Sequence, residues 1–139
     1  MASRLKWIEP SEREIQNSIL YFLNYQSGVF AFQVNTTGTY DARLGYYRKP
    51  GRYVLPGTPD ILACVRVNQC VPIFVGFECK TDKGRQSAHQ KGFELRLKQK
   101  SDGFYFIVRS IKDVEEALKL VREKVSLQIA ARPILPPAC

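Results

Sequence analysis

Residues 57–80 read GTPDILACVRVNQCVPIFVGFECK, and the placement of the charged residues in this stretch decides the fold. Asp60 opens a short apolar run to Val67, just after Thr58-Pro59. Asn68-Gln69 reads as a turn, and Val71–Lys80 as a second strand with Ile73-Phe74-Val75-Gly76-Phe77 inside it. Both runs read as buried on both faces, as in the middle of a covered sheet. A carboxylate inside such a strand is costly unless it is paired or holds a metal. Glu78 and Lys80 are two apart, so they project from one side of the strand, about 6.6 Å apart along it. Phe74 and Gly76 share that side, while Phe77 and Cys79 face away. If the two strands pair as a hairpin, Asp60 and Glu78 meet at one end of the sheet.

Working outward, Ser11 with Glu14 forms a capping box that opens a helix over residues 11–27, with Ile15, Ile19, Phe22 and Leu23 at helical spacing. Gly28 is its stop signal. Val29–Thr37 alternates as a strand, with Phe30, Phe32 and Val34 on one side and Val29, Ala31 and Gln33 on the other. Residues 38–56, rich in Gly, Tyr and Arg, read as a long loop with a ragged hairpin. Ser87 with Gln90 makes a second capping box, opening a helix to about Lys100 that Asp102-Gly103 ends. Phe104–Arg109 reads as a strand. Ser110 opens a third helix with Ile111, Val114, Leu118, Val121 and Val125 on its buried stripe. The expected organisation is one α/β domain over residues 1–129 in α-β-β-β-α-β-α order, with a loosely held Pro-rich tail over 130–139.

The chain has 139 residues, enough for one domain with a real core, and its hydrophobic fraction of 45% against 24% charged is that of a globular protein. The uncharged stretch Ile15–Tyr40 is broken by polar residues such as Asn17, Asn24 and Gln33, so no membrane span is expected. No basic-then-apolar leader precedes it, which points to a cytoplasmic location. Lysine and arginine number 21 against 13 aspartates and glutamates, a net charge of +8 that favours a polyanionic partner. Lys80–Lys100 holds Lys80, Lys83, Arg85, Lys91, Arg96, Lys98 and Lys100 against Asp82 and Glu94. A second basic group, Arg43, Arg48, Lys49 and Arg52, is interleaved with Tyr40, Tyr46, Tyr47 and Tyr53, a mixture suited to bases as well as phosphates. The plainer alternative for both groups is a solvated basic face. Cys64, Cys70, Cys79 and Cys139 contain no C-x-x-C pair and one histidine, His89, stands with them, so no zinc site is expected. Cys64 and Cys79 lie in apolar runs, as reduced cysteines that behave as small hydrophobes.

Two carboxylates, an ammonium and a basic surface describe a site for metal-assisted attack on a phosphodiester. A divalent ion held by Asp60 and Glu78 lowers the pKa of a bound water and offsets charge on the phosphate. Hard oxygen ligands select Mg²⁺ or Mn²⁺. Lys80 would orient or deprotonate the attacking water, or neutralise the phosphate. The plainer alternative is a structural Glu78–Lys80 ion pair.

Gly57-Thr58-Pro59-Asp60, then Glu78-Cys79-Lys80 eighteen positions after Asp60, resembles the PD-(D/E)xK nuclease superfamily, and more narrowly the VRR-NUC family. The resemblance spans most of residues 11–120, from the Ser11-Glu12 and Ile15-Gln16 helix to the closing helix. It implies a restriction-endonuclease-like fold and a divalent-metal nuclease site, with Asp60 and Glu78 as ligands, the Cys79 carbonyl as a third, and Lys80 as the catalytic lysine. Glu14 is engaged by the Ser11 cap, whereas Glu12 shares a helix face with Gln16, which matches the family's helix motif. The resemblance therefore implies Glu12 as a metal-site or water-mediated ligand, with complementing the helix dipole as its plainer role. The family's glutamine near the active site corresponds to Gln90, which also suits the Ser87 cap. One amide is expected to serve both only in part. Gln16, Arg43, Arg48, Lys83, Arg85, His89 and Lys91 complete the expected nucleic-acid surface, with the phosphate contacts positioning the strand without reading sequence.

The function expected is a structure-selective DNA endonuclease acting on branched or junction DNA, with a homodimer, a phage or bacterial setting and no nucleotide cofactor. The alternative is a non-catalytic nucleic-acid-binding module on the same fold.

Overall fold

The computed structural model describes residues 8–35, 38, 40–48, 54–68 and 71–132. The first helix, α1 (Glu12–Tyr25), starts at the Ser11 N-cap, where the Ser11 side chain accepts from the Glu14 N–H and the Glu14 carboxylate accepts from the Ser11 N–H. Strand β1 (Val29–Gln33) follows, then a hairpin of β2 (Tyr40–Asp41) and β3 (Tyr46–Tyr47). Next come β4 (Ile61–Val67), β5 (Val71–Cys79), α2 (Ala88–Ser101), β6 (Phe104–Val108) and α3 (Ile111–Ala131). The chain is thus α/β, in the expected order with the ragged hairpin inserted. The main sheet is mixed, ordered β1-β4-β5-β6, with the first three strands antiparallel and β6 parallel to β5.

Helices α1 and α3 pack against one face and close the core. Ile15, Ile19 and Leu23 of α1 meet Val114, Leu118, Val121 and Val125 of α3 over Ile61, Val65, Val75 and Phe77 of the sheet. Asn24 of α1 protects the edge of β1: its amide donates to the Ala31 carbonyl and accepts from the Ala31 N–H, both at 2.9 Å, imitating a neighbouring strand. On the opposite face α2 lies against β6, with the Phe93 and Tyr105 rings 6.2 Å apart. No residue of α2 is fully buried, so this helix is held by its cap, Phe93 and polar contacts rather than by an apolar stripe.

The structure corrects several expectations. The strands around Asp60 and Glu78 are not buried on both faces. Cys64 and Arg66 of β4 and Phe74 of β5 are exposed, and only residues 75–80 are continuously buried. The covered-sheet reading fails because α2 spans only part of the outer face. Cys64 is accordingly not a small core hydrophobe, although Cys79 is buried. Ile111 is exposed at the start of α3, and Ala117 joins the buried stripe instead. Helix α3 runs on to Ala131, into the first residues of the stretch read as a tail. The 133–139 part of the expected tail, Cys70, Gln69 of the turn, Thr36-Thr37, and Lys49, Arg52 and Tyr53 of the second basic group lie outside the described residues. Among the described residues no helix is long and apolar enough to cross a membrane.

Candidate active site

The stretch leading into β4 is built tightly. Gly57 adopts φ +80°, and a Cβ there would lie 2.1 Å from the His89 carbonyl oxygen. The chain therefore touches the first turn of α2, which only glycine permits. Pro59 is fully buried over Gly76, where a Cβ would stand 2.8 Å from its ring. These two contacts set Asp60 at the start of β4. The register Ile61↔Phe77 then carries Asp60 opposite Glu78, as the hairpin pairing required. One Asp60 oxygen accepts the Cys79 N–H at 2.8 Å, tying the carboxylate to the end of β5.

Glu78 is 1% exposed and Lys80 8%, the two buried charged residues of the described chain. Lys80 Nζ donates to Glu78 Oε1 at 2.6 Å and lies 3.9 Å from Glu12 Oε2. The same Glu78 oxygen accepts from the Gln90 amide nitrogen, and the Tyr105 hydroxyl is 3.5 Å from Oε2. Gln90 meets both demands placed on it, contrary to the expectation of partial satisfaction. Its oxygen accepts the Ser87 N–H at 2.7 Å to close the cap, while its nitrogen reaches Glu78. The two ends of one amide divide the work.

Gln16 is half-buried and belongs to the carboxylate cluster. Its oxygen accepts from the Gln33 amide at 3.1 Å, and its side chain helps to hold the Asp60 carboxyl down. Lys83, Arg85, His89 and Lys91 are exposed on the segment from the end of β5 into α2. Arg109 braces that segment by donating to the Gly84 carbonyl at 2.9 Å. Arg43 and Arg48 are exposed on the β2–β3 hairpin, where Arg48 pairs with Asp41 and the Tyr40 and Tyr47 rings meet edge-on at 5.2 Å. The structure thus brings together Glu12, Gln16, Asp60, Glu78, Lys80 and Gln90, and leaves the basic residues on surrounding surfaces. Tyr105 is the member that sequence reasoning missed. Its signal was a hydroxyl inside the apolar run Phe104–Val108, since a buried tyrosine oxygen usually finds a partner.

The electrostatics follow first from burial, and then from the carboxylates gathered around one ammonium. Burial pushes Glu78 up to about 7, the charges on Asp60 and Glu12 add to that, and Lys80 only partly offsets it. Burial raises Asp60 too, against the Cys79 N–H, the Lys80 charge and the Gln16 side chain. Burial alone would lower Lys80, but its hydrogen bond to Glu78 and the surrounding carboxylates hold it above the usual lysine value. Burial also lifts the Cys79 thiol and the Tyr105 hydroxyl, with Glu78 contributing to both.

Among the described residues, no three or more His, Cys, Asp or Glu side chains form a ready-made metal cage. The donor chemistry nevertheless fits a hard divalent cation. Asp60, Glu78 and the Cys79 carbonyl offer oxygen ligands, and Glu12 stands nearby. Comparison with protein-family models, curated proteins and solved structures finds no match to this chain.

Proposed function

We propose that this protein is a divalent-metal-dependent DNA endonuclease of the restriction-endonuclease-like, VRR-NUC type, structure-selective rather than sequence-specific. The observation that carries this reading is the convergence of Asp60, Glu78 and Lys80 with Glu12 and Gln90 at one end of the sheet, beside an exposed basic surface. A buried cluster with surplus carboxylate has little use as a fold stabiliser, because unneutralised burial costs free energy. It has a clear use beside phosphate if a cation completes it.

In this reading Asp60, Glu78 and the Cys79 carbonyl would hold Mg²⁺ or Mn²⁺, and Glu12 would be a further ligand, direct or through water. The bound ion supplies an acidified water and charge compensation on the phosphate. Lys80 acts as a fixed cation: its ammonium has three donors, and those not used by Glu78 face the phosphate and the attacking water. Gln90 holds the Glu78 carboxylate in place from the capped end of α2. Lys83, Arg85, His89 and Lys91 supply phosphate contacts near the site. Arg43 and Arg48, with the hairpin tyrosines, supply contacts farther along the strand. The protein acts as a homodimer in this reading, with two sites for two strands of branched DNA.

The test is Asp60→Ala. Cleavage of labelled DNA in Mg²⁺ or Mn²⁺ is expected to fall by about 10²–10³-fold, as for loss of a principal electrostatic group. DNA binding in EDTA is expected to hold. Unchanged cleavage would remove Asp60, and the site with it, from the account.

A further inference from the structure

Helix α2 covers the outer face of the sheet over β6 and the end of β5, Pro59 covers Gly76, and the aromatic side chains of β1 and the first half of β5 stay open. There Phe30 is 67% exposed, Phe32 48% and Phe74 44%. The register aligns Phe30, Cys64 and Phe74 in one row across β1, β4 and β5, and Phe32, Leu62 and Gly76 in the next. The row after that holds Asp60 and Glu78. Alternate residues of a strand are about 6.8 Å apart, so the Phe74 row stands about 14 Å from the carboxylates along the same face. The Phe30 and Phe32 rings are 6.1 Å apart and tilted by 43°, presenting their faces rather than packing flat.

An exposed aromatic patch on a sheet needs an occupant. Its charge selects one class. Among the outward residues of β1, β4 and β5 as far as Gly76 none is acidic, the charged one is the exposed Arg66, and the chain carries a net +8. Its position selects further. A strand whose phosphate lies at Lys80 passes Pro59, which covers Gly76, before it reaches the aromatic rows of the same face. A duplex keeps its bases stacked inside and offers these rings no partner. Unpaired bases have free π-faces, and phenylalanine rings on an open sheet stack them without regard to sequence.

We propose that Phe30, Phe32 and Phe74 form a stacking platform for unpaired bases, making the substrate a nucleic acid with a single-stranded segment beside the scissile bond. The proposal rests on the nuclease reading for nucleic acid as the partner and adds the feature by which the site selects it.

The experiment measures binding of a fluorescein-labelled 12-nucleotide oligothymidylate and of a 12-base-pair duplex by anisotropy, in EDTA so that nothing is cut. Phe30→Ser/Phe74→Ser should weaken single-strand binding by about tenfold or more, from the usual size of base–aromatic stacking. Duplex binding should stay within about twofold, and the log–log salt slope should not change, because no phosphate contact is lost. A conservative variant gives a second readout. Phe74→Trp, made with Trp7→Phe, should show indole emission quenched by the oligothymidylate and not by the duplex. Equal affinity of wild type and double serine variant for the single strand, or no quenching, overturns the proposal. So does a double variant that sediments as a monomer where the wild type is a dimer, with single-strand affinity unchanged, since a second copy then covers the face. Wild-type cleavage in Mg²⁺ or Mn²⁺ is scored separately, so failure of the nuclease reading is distinct from failure of the platform.

Discussion

At Gly57 the backbone turns with φ +80°, and its Cα passes so close to α2 that a methyl group would strike the His89 carbonyl carbon at 2.3 Å and the Gln90 nitrogen at 2.6 Å. These are backbone atoms of the turn that carries Gln90 to Glu78, so the glycine fixes the site's geometry from behind. Gly57→Ala is expected to destabilise the protein by at least about 2 kcal/mol, combining left-handed strain with overpacking, as read by urea unfolding. Wild-type stability in that variant would show that α2 moves freely. Glu78 makes a second prediction at this scale. Its folded pKa of about 7 lies above the ordinary carboxyl value of 4.5, so between these pH values the folded state binds more protons than the unfolded one. Metal-free stability should therefore fall as pH rises from about 4.5 to 7, by as much as about 3 kcal/mol. The raised Asp60 acts in the same direction. Thermal melts in EDTA should show the fall, and Glu78→Gln should flatten it. A wild-type melting temperature that rises across that window would contradict the crowding of carboxylates at the site.

The elements were legible to different degrees, for physical reasons. Capping boxes are local, so Ser11 with Glu14 and Ser87 with Gln90 marked two helix starts without tertiary information. The order of strands followed from apolar runs and turn residues. Which side of β1 faces the core did not follow, because alternation separates two faces without naming the inner one. The side with the larger side chains, Phe30 and Phe32, looks outward, and Ala31 is buried. The antiparallel register with Ile61, Ala63 and Val65 decides this. Tyr105 escaped notice for a related reason: its place beside Glu78 depends on the parallel crossover through α2, which no local spacing encodes. Asp60, Glu78 and Lys80 were legible because a carboxylate in an apolar strand is anomalous by itself. The α2 cap has a consequence for the site. Ser87→Ala removes the hydroxyl that accepts the Gln90 N–H and should cost about 1 kcal/mol of stability, yet lower cleavage by more than that loss of folded protein explains, because a frayed first turn loosens the Ser87 N–H that holds the Gln90 side chain. Comparing the melting shift with kcat checks this. A proportionate loss of both would confine Ser87 to a structural role.

For the molecule as a whole, a sheet sealed on one side by α1 and α3 and half-open on the other gathers its chemistry at one end. Charge, burial and topology act together there. The apolar core holds β4 and β5 rigid, their register brings Asp60 against Glu78, and the surrounding basic residues give the exterior the opposite sign from the cluster inside. A net charge of +8 favours polyanions in general, so nucleic-acid binding alone would say little about this arrangement. Cutting says much more. The most direct measurement is cleavage of labelled single-strand, duplex, flap and four-way-junction DNA in Mg²⁺, Mn²⁺ or EDTA, with wild type beside Lys80→Ala. Metal-dependent cutting by the wild type is expected, strongest on branched DNA and lost in the variant. Tight binding by both proteins with no cutting of any substrate in either metal would contradict the nuclease reading.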